Sequence, residues 1–251
     1  MNPDELVSWR RRRRGELLAQ REAVDEGTRR NWGRSISRTL LGSLPLLQRA
    51  RLGIYWPIRS EYDPRFVAHA LRKSGGLIGL PVVVGKGRPL IFREWTPGIE
   101  MLTGGLDILY PASTPELVPD ACLIPPVGFD ALGYRLGYGA GFFDRTLAAL
   151  SPRPLAIGVA FECARIDTIY PQPYDIALDL IVTESNLYLV QAGGLERIAA
   201  ADANRFALEL VGARRRAHDA AGAADAGSFS SPVCYARKLA PDYFGGEPKP
   251  K

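Results

Sequence analysis

The sequence predicts a single α/β domain, an open and mostly parallel sheet flanked by helices, with a C-terminal extension. Six short apolar runs, each bounded by Gly, Pro or Asp, are typical of strands buried on both faces. Helical segments alternate with these runs, as they do in open α/β sheets. The chain has 251 residues, of which 46% are hydrophobic, and this is enough for one sizeable core.

The N-terminal region predicts two helices. Residues 3–25 begin with Pro3-Asp4-Glu5, a helix-start signal, and carry apolar residues among charged ones. Residues 28–44 repeat a large apolar residue every four positions, at Trp32, Ile36, Leu40 and Leu44.

The following segment predicts a strand over residues 51–57, because it ends at Pro57, and a helix over residues 63–74, because Gly75-Gly76 closes it. The six apolar runs are residues 77–84, 90–95, 106–110, 122–127, 155–161 and 177–183, and residues 142–150 between the fourth and fifth predict another helix.

The C-terminal end has a different composition. Residues 199–228 are rich in alanine, which predicts a helix that fades into a linker, and residues 229–251 end in Gly-Gly-Glu-Pro-Lys-Pro-Lys. We therefore predict one domain over residues 1–198 and a loosely ordered linker and tail over residues 199–251.

Composition excludes several classes of site. Cys122, Cys163 and Cys234 are far apart and show no metal-ligand spacing, so neither a disulfide framework nor a zinc site is supported. The chain has only two histidines, which argues against a Ser-His-Asp triad. No run approaches the roughly 20 apolar residues of a membrane span, and the N-terminus is charged, so we expect a cytoplasmic protein without a membrane partner.

Positive charge is concentrated near the N-terminus. Residues 1–60 hold 13 arginines against 6 acidic residues, and residues 10–14 are five consecutive arginines. Such a run is compatible with a solvated helix face, a small anionic ligand or nucleic acid. A ligand on one face of a helix is reached by residues three or four apart, as Arg10 and Arg14 are.

The most informative segment runs from Gly133 to Asp144, Gly-Tyr-Arg-Leu-Gly-Tyr-Gly-Ala-Gly-Phe-Phe-Asp, between a predicted strand and a predicted helix. Glycines allow several backbone N–H groups to converge on an anion, and the helix N-terminus adds further donors. Arg135 supplies a planar guanidinium suited to phosphate oxygens. The pattern predicts a phosphate-binding loop, although a tight strand-to-helix loop explains the glycines alone equally well.

Asp144 stands just inside the predicted helix. A carboxylate at that position suits a Mg²⁺ ion that bridges polyphosphate oxygens. The segment is neither a Walker A loop nor a Rossmann glycine motif, because it lacks their residues and spacing.

The motif resembles the signature of the 5-formyltetrahydrofolate cyclo-ligase family, also called methenyltetrahydrofolate synthetases. The resemblance extends to the basic first helix, to Ile54-Tyr-Trp-Pro-Ile-Arg-Ser-Glu61 and to Tyr174-Asp-Ile-Ala-Leu-Asp-Leu-Ile-Val-Thr-Glu184, and covers roughly residues 3–195. It implies an ATP-dependent cyclisation of 5-formyltetrahydrofolate to 5,10-methenyltetrahydrofolate, with release of ADP and phosphate. The implied mechanism phosphorylates the formyl oxygen and closes the ring by attack of N10.

The resemblance also implies roles for individual residues. Arg135 and Tyr138 are the implied catalytic residues, and Asp144 and Asp175 the implied magnesium ligands. The implied folate-binding residues are Trp56, Glu61, Tyr138, Gly139 and Phe142. The implied ATP-binding residues are Arg10, Arg14, Arg135, Leu136, Gly137, Tyr138, Gly139, Ala140, Gly141, Phe142 and Phe143.

Simpler structural roles compete with three of these assignments. Trp56 suits a core position, Asp175 a turn, and Glu61 the cap of the following helix. Three residues depart from the family pattern, since Ala140 replaces the usual Gly or Lys, Phe143 the usual Tyr, and Tyr110 the Glu that many relatives have before Pro.

Two alternative functions follow from the sequence. The departures at Ala140 and Phe143 suggest a regulatory relative that binds folate without turnover, and the arginine run suggests nucleic-acid binding. The favoured interpretation is the enzyme, with ATP and 5-formyltetrahydrofolate as its partners, no nucleic acid, and a monomeric or weakly dimeric state.

Overall fold

The computed structural model describes residues 2–224, except for the side chains of Leu106 and of residues 222–224. Its five α-helices are α1 (Pro3–Ala23), α2 (Glu26–Ser43), α3 (Arg65–Lys73), α4 (Phe142–Ala149) and α5 (Ala203–Ala224). Its twelve strands are β1 (Arg51–Gly53), β2 (Leu77–Val82), β3 (Ile91–Glu94), β4 (Met101–Thr103), β5 (Leu109–Pro111), β6 (Ala121–Ile124), β7 (Gly128–Phe129), β8 (Arg135–Leu136), β9 (Leu155–Val159), β10 (Leu180–Val182), β11 (Leu187–Gln191) and β12 (Gly194–Arg197). Short 3₁₀ helices occupy Pro45–Arg49, Gly105–Asp107 and Glu162–Ala164.

Eight strands form the main sheet, in the order β12-β11-β10-β9-β6-β1-β2-β3. The five central strands, β10, β9, β6, β1 and β2, are mutually parallel. Strand β3 pairs antiparallel at one edge, and β11 and β12 form an antiparallel hairpin at the other. The predicted open, mostly parallel sheet is confirmed.

Both faces of the sheet are buried, as the apolar runs predict. On β6, Leu123 belongs to the core beneath α2, α3 and α5, whereas Cys122 and Ile124 belong to the core beneath α4. Successive side chains of a strand point to opposite faces, so a strand covered on both sides shows a continuous apolar run.

A capping box fixes the start of α1. The Asn2 side chain accepts a hydrogen bond from the Glu5 backbone N–H, and the Glu5 carboxylate accepts one from the Asn2 backbone N–H. Leu17 and Leu18 pack with Val127, Leu136 and Ile169 in a third apolar cluster. This cluster holds α1 against the loop that follows β6.

Helix α5 corrects part of the predicted domain division. Residues 199–228 are predicted to form a helix that fades into a linker; the helix is present, but its Ala203 and Ala207 are fully buried in the main core. Arg214 of the same helix pairs with buried Asp179. The packed body therefore extends beyond residue 198, while the predicted tail over residues 225–251 lies outside the described residues.

No helix within residues 2–224 is both long enough and apolar enough to cross a membrane.

Candidate active site

The candidate site lies at the carboxyl edge of the parallel strands. The segment after β1 leads to Glu61, and the segment after β6 contains the glycine motif. Open α/β sheets bind their ligands at this edge, because the loops of neighbouring parallel strands meet there. Helix α1 contacts the same region through a close approach of Leu17 to the backbone of Gly128.

The glycine loop needs glycine at specific positions. Gly139 has a φ of +104° and Gly141 a φ of +64°, both in the left-handed region that side chains disfavour. Gly141 is the N-cap of α4, and no side chain caps this helix start. The first turn of α4 therefore directs its backbone donors and partial positive charge toward the loop.

Arg14 lies against this loop. Its Nε donates a 2.7 Å hydrogen bond to the carbonyl of Gly137. A Cβ placed on Gly139 would lie 3.3 Å from the Arg14 guanidinium, so the two groups are in close contact. The structure thus brings a cation of α1 to the predicted phosphate-binding loop.

Arg10 has three protein partners from one distant segment of the chain. Its guanidinium pairs with Asp175 at 2.6 Å and also donates to the carbonyls of Ile169 and Tyr170. Asp175 accepts a further hydrogen bond from the backbone N–H of Gln172. Two residues predicted to contact phosphate and magnesium are therefore partners of each other.

Arg135 is buried beneath the loop and is not open to the surface. Its Nη1 donates to the carbonyl of Ile176 at 2.6 Å, and its Nη2 lies 2.8 Å from Oδ1 of Asp144. Burial lowers the pKa of Arg135, and the Asp144 carboxylate opposes this shift. The same Oδ1 accepts the backbone N–H of Ile176, so Arg135 and Asp144 together fix the segment before β10 to the start of α4.

A resident metal centre has no support within residues 2–224, where no cluster of three or more His, Cys, Asp or Glu could hold an ion. Asp144 accepts its contacts on Oδ1, and its side chain is 22% exposed. One such carboxylate is the kind of protein ligand that Mg²⁺ uses when substrate phosphates supply other oxygens. The residues present fit an ion that arrives with a nucleotide.

Glu61 and Tyr138 are in direct contact. The Tyr138 hydroxyl donates a 2.7 Å hydrogen bond to Oε1 of Glu61, while Oε2 accepts the backbone N–H of Ile58. Burial raises the pKa of Glu61 to about 6, although nearby Arg21 and the two hydrogen bonds favour its charged form. Burial and the Glu61 charge both raise the pKa of Tyr138.

Four further apolar residues predicted for the site take up three different positions. Trp56 is half-buried at the edge of the core, with the Arg65 guanidinium 4.6 Å from its ring centroid. Phe142 and Phe143 are half-buried and pack on the core beneath α4. Leu136 is buried among the residues that hold α1.

Two arginines near the site are absent from the sequence-based prediction. Arg21 contacts Tyr138 and Glu61, and Arg145 donates from Nη2 to the carbonyl of Ala140. A signal for Arg21 exists, because it lies seven residues after Arg14 and therefore on the same face of α1. For Arg145 the signal is its place directly after Asp144 in the motif.

Comparison with known proteins gives a consistent picture. The model of the 5-formyltetrahydrofolate cyclo-ligase family matches residues 7–184. The 5-formyltetrahydrofolate cyclo-ligase of Escherichia coli K12 is 25% identical over 180 residues, covering 68% of this chain and 98% of that protein. The enzyme of the same name from Mycolicibacterium smegmatis is 29% identical over 181 residues, covering 68% and 91%.

Two solved structures are similar. The NMR structure of 5,10-methenyltetrahydrofolate synthetase from Aquifex aeolicus has a TM-score of 0.64 and 26% identity, over 73% of this chain and 94% of that one. The 5,10-methenyltetrahydrofolate synthetase of Mycoplasma pneumoniae has a TM-score of 0.58 and 25% identity, over 70% and 98%.

Proposed function

The chain belongs to the 5-formyltetrahydrofolate cyclo-ligase family, and we propose on that premise that it uses ATP to convert 5-formyltetrahydrofolate into 5,10-methenyltetrahydrofolate. One observation carries the proposal. The hydroxyl of Tyr138, inside the glycine loop, lies 2.7 Å from the buried carboxylate of Glu61. An anion-binding loop and an acceptor for N–H groups are therefore neighbours, as a reaction between a nucleotide and a pterin requires.

The chemistry needs an activated oxygen. The γ-phosphoryl group of ATP transfers to the formyl oxygen, which leaves ADP. The folate N10 then attacks the formyl carbon, the carbon–oxygen bond breaks, and phosphate departs with the oxygen while N10 loses its proton. Positioning and charge stabilisation supply most of the catalysis of such a phosphoryl transfer.

The nucleotide side of the site consists of the loop from Gly137 to Phe143 and the start of α4. Backbone N–H groups of this loop bind phosphate oxygens, and Arg14 adds positive charge beside Gly139. Arg145 donates to the carbonyl of Ala140, so a second cation lies beside the same loop.

Asp144 is the residue that would hold a magnesium ion, and the ion would supply positive charge to the phosphates. Asp175 acts indirectly, through Arg10: its carboxylate holds the Arg10 guanidinium against the carbonyls of Ile169 and Tyr170. Arg135 supports the loop from beneath through Asp144 and Ile176.

The folate side of the site centres on Glu61. A carboxylate can accept two N–H groups from the pterin amino group and ring, which is a paired contact of matching geometry. Tyr138 provides an aromatic ring beside it, in contact with the Glu61 carboxylate through its hydroxyl. Tyr138 belongs to both halves of the site and aligns them.

Formation of the near-ultraviolet chromophore of methenyltetrahydrofolate tests this proposal. The purified chain should produce the chromophore from 5-formyltetrahydrofolate and Mg-ATP. Folded protein that binds 5-formyltetrahydrofolate in calorimetry and neither forms the chromophore nor hydrolyses ATP would instead be a binding relative.

A further inference from the structure

Arg21, in the last turn of α1, joins three separate segments of the chain. It is only 5% exposed. Its Nε donates to the carbonyl of Arg59 at 3.0 Å, and its Nη2 donates to the hydroxyl of Tyr138 at 2.9 Å. The same Nη2 lies 3.8 Å from Oε1 of Glu61. A buried guanidinium costs free energy unless it is paired, and each of these contacts compensates part of that cost.

The turn that presents Glu61 is strained. Arg59 and Ser60 have φ values of 47° and 60°, in the left-handed region that residues with a Cβ disfavour. Such a conformation persists only where the surrounding structure holds it. Helix α1 holds it at two points, since Arg21 binds the carbonyl of Arg59 and Glu22 binds its guanidinium at 2.7 Å.

The same helix also holds the nucleotide loop at two consecutive residues. Arg14 binds the carbonyl of Gly137, and Arg21, two turns later on the same face, binds the hydroxyl of Tyr138. Helix α1 therefore connects the strained turn to the loop through one rigid element.

We propose that Arg21 is a positioning residue, which fixes Glu61 and Tyr138 relative to each other. The Glu61 carboxylate, which binds folate, and the nucleotide loop are thereby aligned before substrates bind. This inference rests on the proposed function, because it assigns Glu61 to folate and the loop to ATP. Arg21 acts through these two residues and is not itself assigned a contact with substrate.

The charge of Arg21 has a measurable consequence at Glu61. The titratable groups that face Glu61 are Arg21 from α1, Tyr138 from the loop and Tyr55 from the segment after β1. Burial raises the pKa of Glu61 to about 6, and Arg21 is the largest influence in the opposite direction. Loss of Arg21 should therefore raise this pKa further, so that Glu61 becomes protonated at a higher pH.

The test compares the wild-type chain with Arg21→Gln, Arg21→Lys and Tyr138→Phe. We expect Arg21→Gln to lower kcat/KM for 5-formyltetrahydrofolate about tenfold at pH 7, the effect of losing one hydrogen bond to a charged group. The acid limb of the pH profile of kcat/KM should move to higher pH. Arg21→Lys should keep the limb near its wild-type position because it keeps the charge, and should only partly restore kcat/KM.

Matched controls separate a local effect from misfolding. Arg13→Gln removes a partly exposed arginine of the same helix, whose partner is Glu16, and should leave the acid limb in place. Circular dichroism reports whether Arg21→Gln folds. If it does not, Tyr138→Phe decides the question, because loss of its hydrogen bond to Glu61 should also move the limb to higher pH.

A folded Arg21→Gln variant with the wild-type acid limb and folate kcat/KM would overturn the proposal. So would an unmoved limb in Tyr138→Phe where Arg21→Gln fails to fold. Failure of the proposed function is distinguishable, since it would show as no turnover by the wild-type chain. In that case the pH dependence of 5-formyltetrahydrofolate binding, measured by calorimetry on the same variants, decides whether Arg21 acts on Glu61.

Discussion

The hydroxyl of Tyr138 donates a 2.7 Å hydrogen bond to Oε1 of Glu61, across 77 residues of sequence. This bond joins the glycine loop after β8 to the turn after β1. Because the loop is assigned to ATP and the carboxylate to folate, perturbing each side should give a distinct kinetic result.

Glu61→Gln should impair folate use selectively. The amide keeps the shape of the side chain but replaces one acceptor with a donor, so it opposes a pterin N–H group. We expect KM for 5-formyltetrahydrofolate to rise about 10- to 100-fold, with KM for ATP nearly unchanged. Steady-state kinetics with each substrate varied in turn measure this. Glu26→Gln, at an exposed glutamate paired with Arg30, is the control, and equal rises in both KM values would contradict the assignment.

The stability of the same variant should depend on pH. Burial raises the pKa of Glu61 from 4.5 to about 6, so the folded protein holds this proton more tightly than the unfolded chain. The stabilising contribution of Glu61 therefore falls as pH rises from about 4.5 to about 6. Glutamine mimics the protonated acid at every pH. The free energy of unfolding of Glu61→Gln, relative to that of the wild type, should therefore increase by about 2 kcal/mol when the pH is raised from 4 to 7.5. Urea unfolding at both pH values measures the difference, and a pH-independent difference would count against this origin.

Arg135→Ala should damage the nucleotide side. It leaves Asp144 without its ion-pair partner and removes a hydrogen bond to the Ile176 carbonyl. Breaking a buried pair typically costs about 3–5 kcal/mol of folding free energy. We expect a less stable protein whose KM for ATP rises far more than its KM for folate. Thermal unfolding and kinetics on the folded fraction test this. An equal rise in KM for ATP and for folate would contradict the assignment of Arg135 to the nucleotide side.

Arg14→Ala should weaken ATP binding without unfolding the chain. The guanidinium lies on the loop at Gly137 and Gly139, and the apolar cluster around Leu17 still holds α1. We expect KM for ATP to rise at least about tenfold. Arg13→Ala is the control on the neighbouring position, because Arg13 pairs with Glu16 on the helix surface. If the two variants behaved alike, Arg14 would have no special role.

Arg214→Met should lower stability and leave catalysis intact. Arg214 ties α5 to buried Asp179 and to the carbonyl of Pro154. Asp179 keeps Arg153 and the backbone N–H of Ala156 as partners, so we expect a loss of only about 1–3 kcal/mol. Urea unfolding and kinetics at 25 °C measure the two quantities. A change in either KM without a change in stability would place α5 in the site.

The sequence predicts the central sheet well because its strands are buried on both faces. Continuous apolar runs at residues 122–127 and 155–161 correspond to β6 and β9, a few residues longer than the paired strands themselves. The edge hairpin β11–β12 is absent from the prediction, although Leu187, Tyr188 and Leu189 of β11 are buried; only the outer strand β12, which ends in exposed Glu196 and Arg197, lacks an apolar run.

Helix α5 shows the limit of composition as a guide. Its N-terminal half packs through Ala203, Phe206, Ala207, Leu210 and Val211, which recur at helical spacing, so periodicity marks this packed face where alanine-rich composition does not. Its ion pair with Asp179 joins positions far apart in the chain, which local patterns do not reveal.

The site shows the same division between local and distant information. The glycine loop and Arg14 could be predicted, because motif spacing and helix periodicity are local. The pairing of Arg10 with Asp175, 165 residues away, could not, because only the tertiary fold brings them together.

The most direct measurement of the central claim is the methenyltetrahydrofolate chromophore with ATP present and with ATP omitted, together with the ADP formed. The account predicts chromophore only with Mg-ATP, one ADP for each product molecule, and no signal without nucleotide. Folded wild-type protein that gave no chromophore with Mg-ATP, or the same yield without it, would contradict the account.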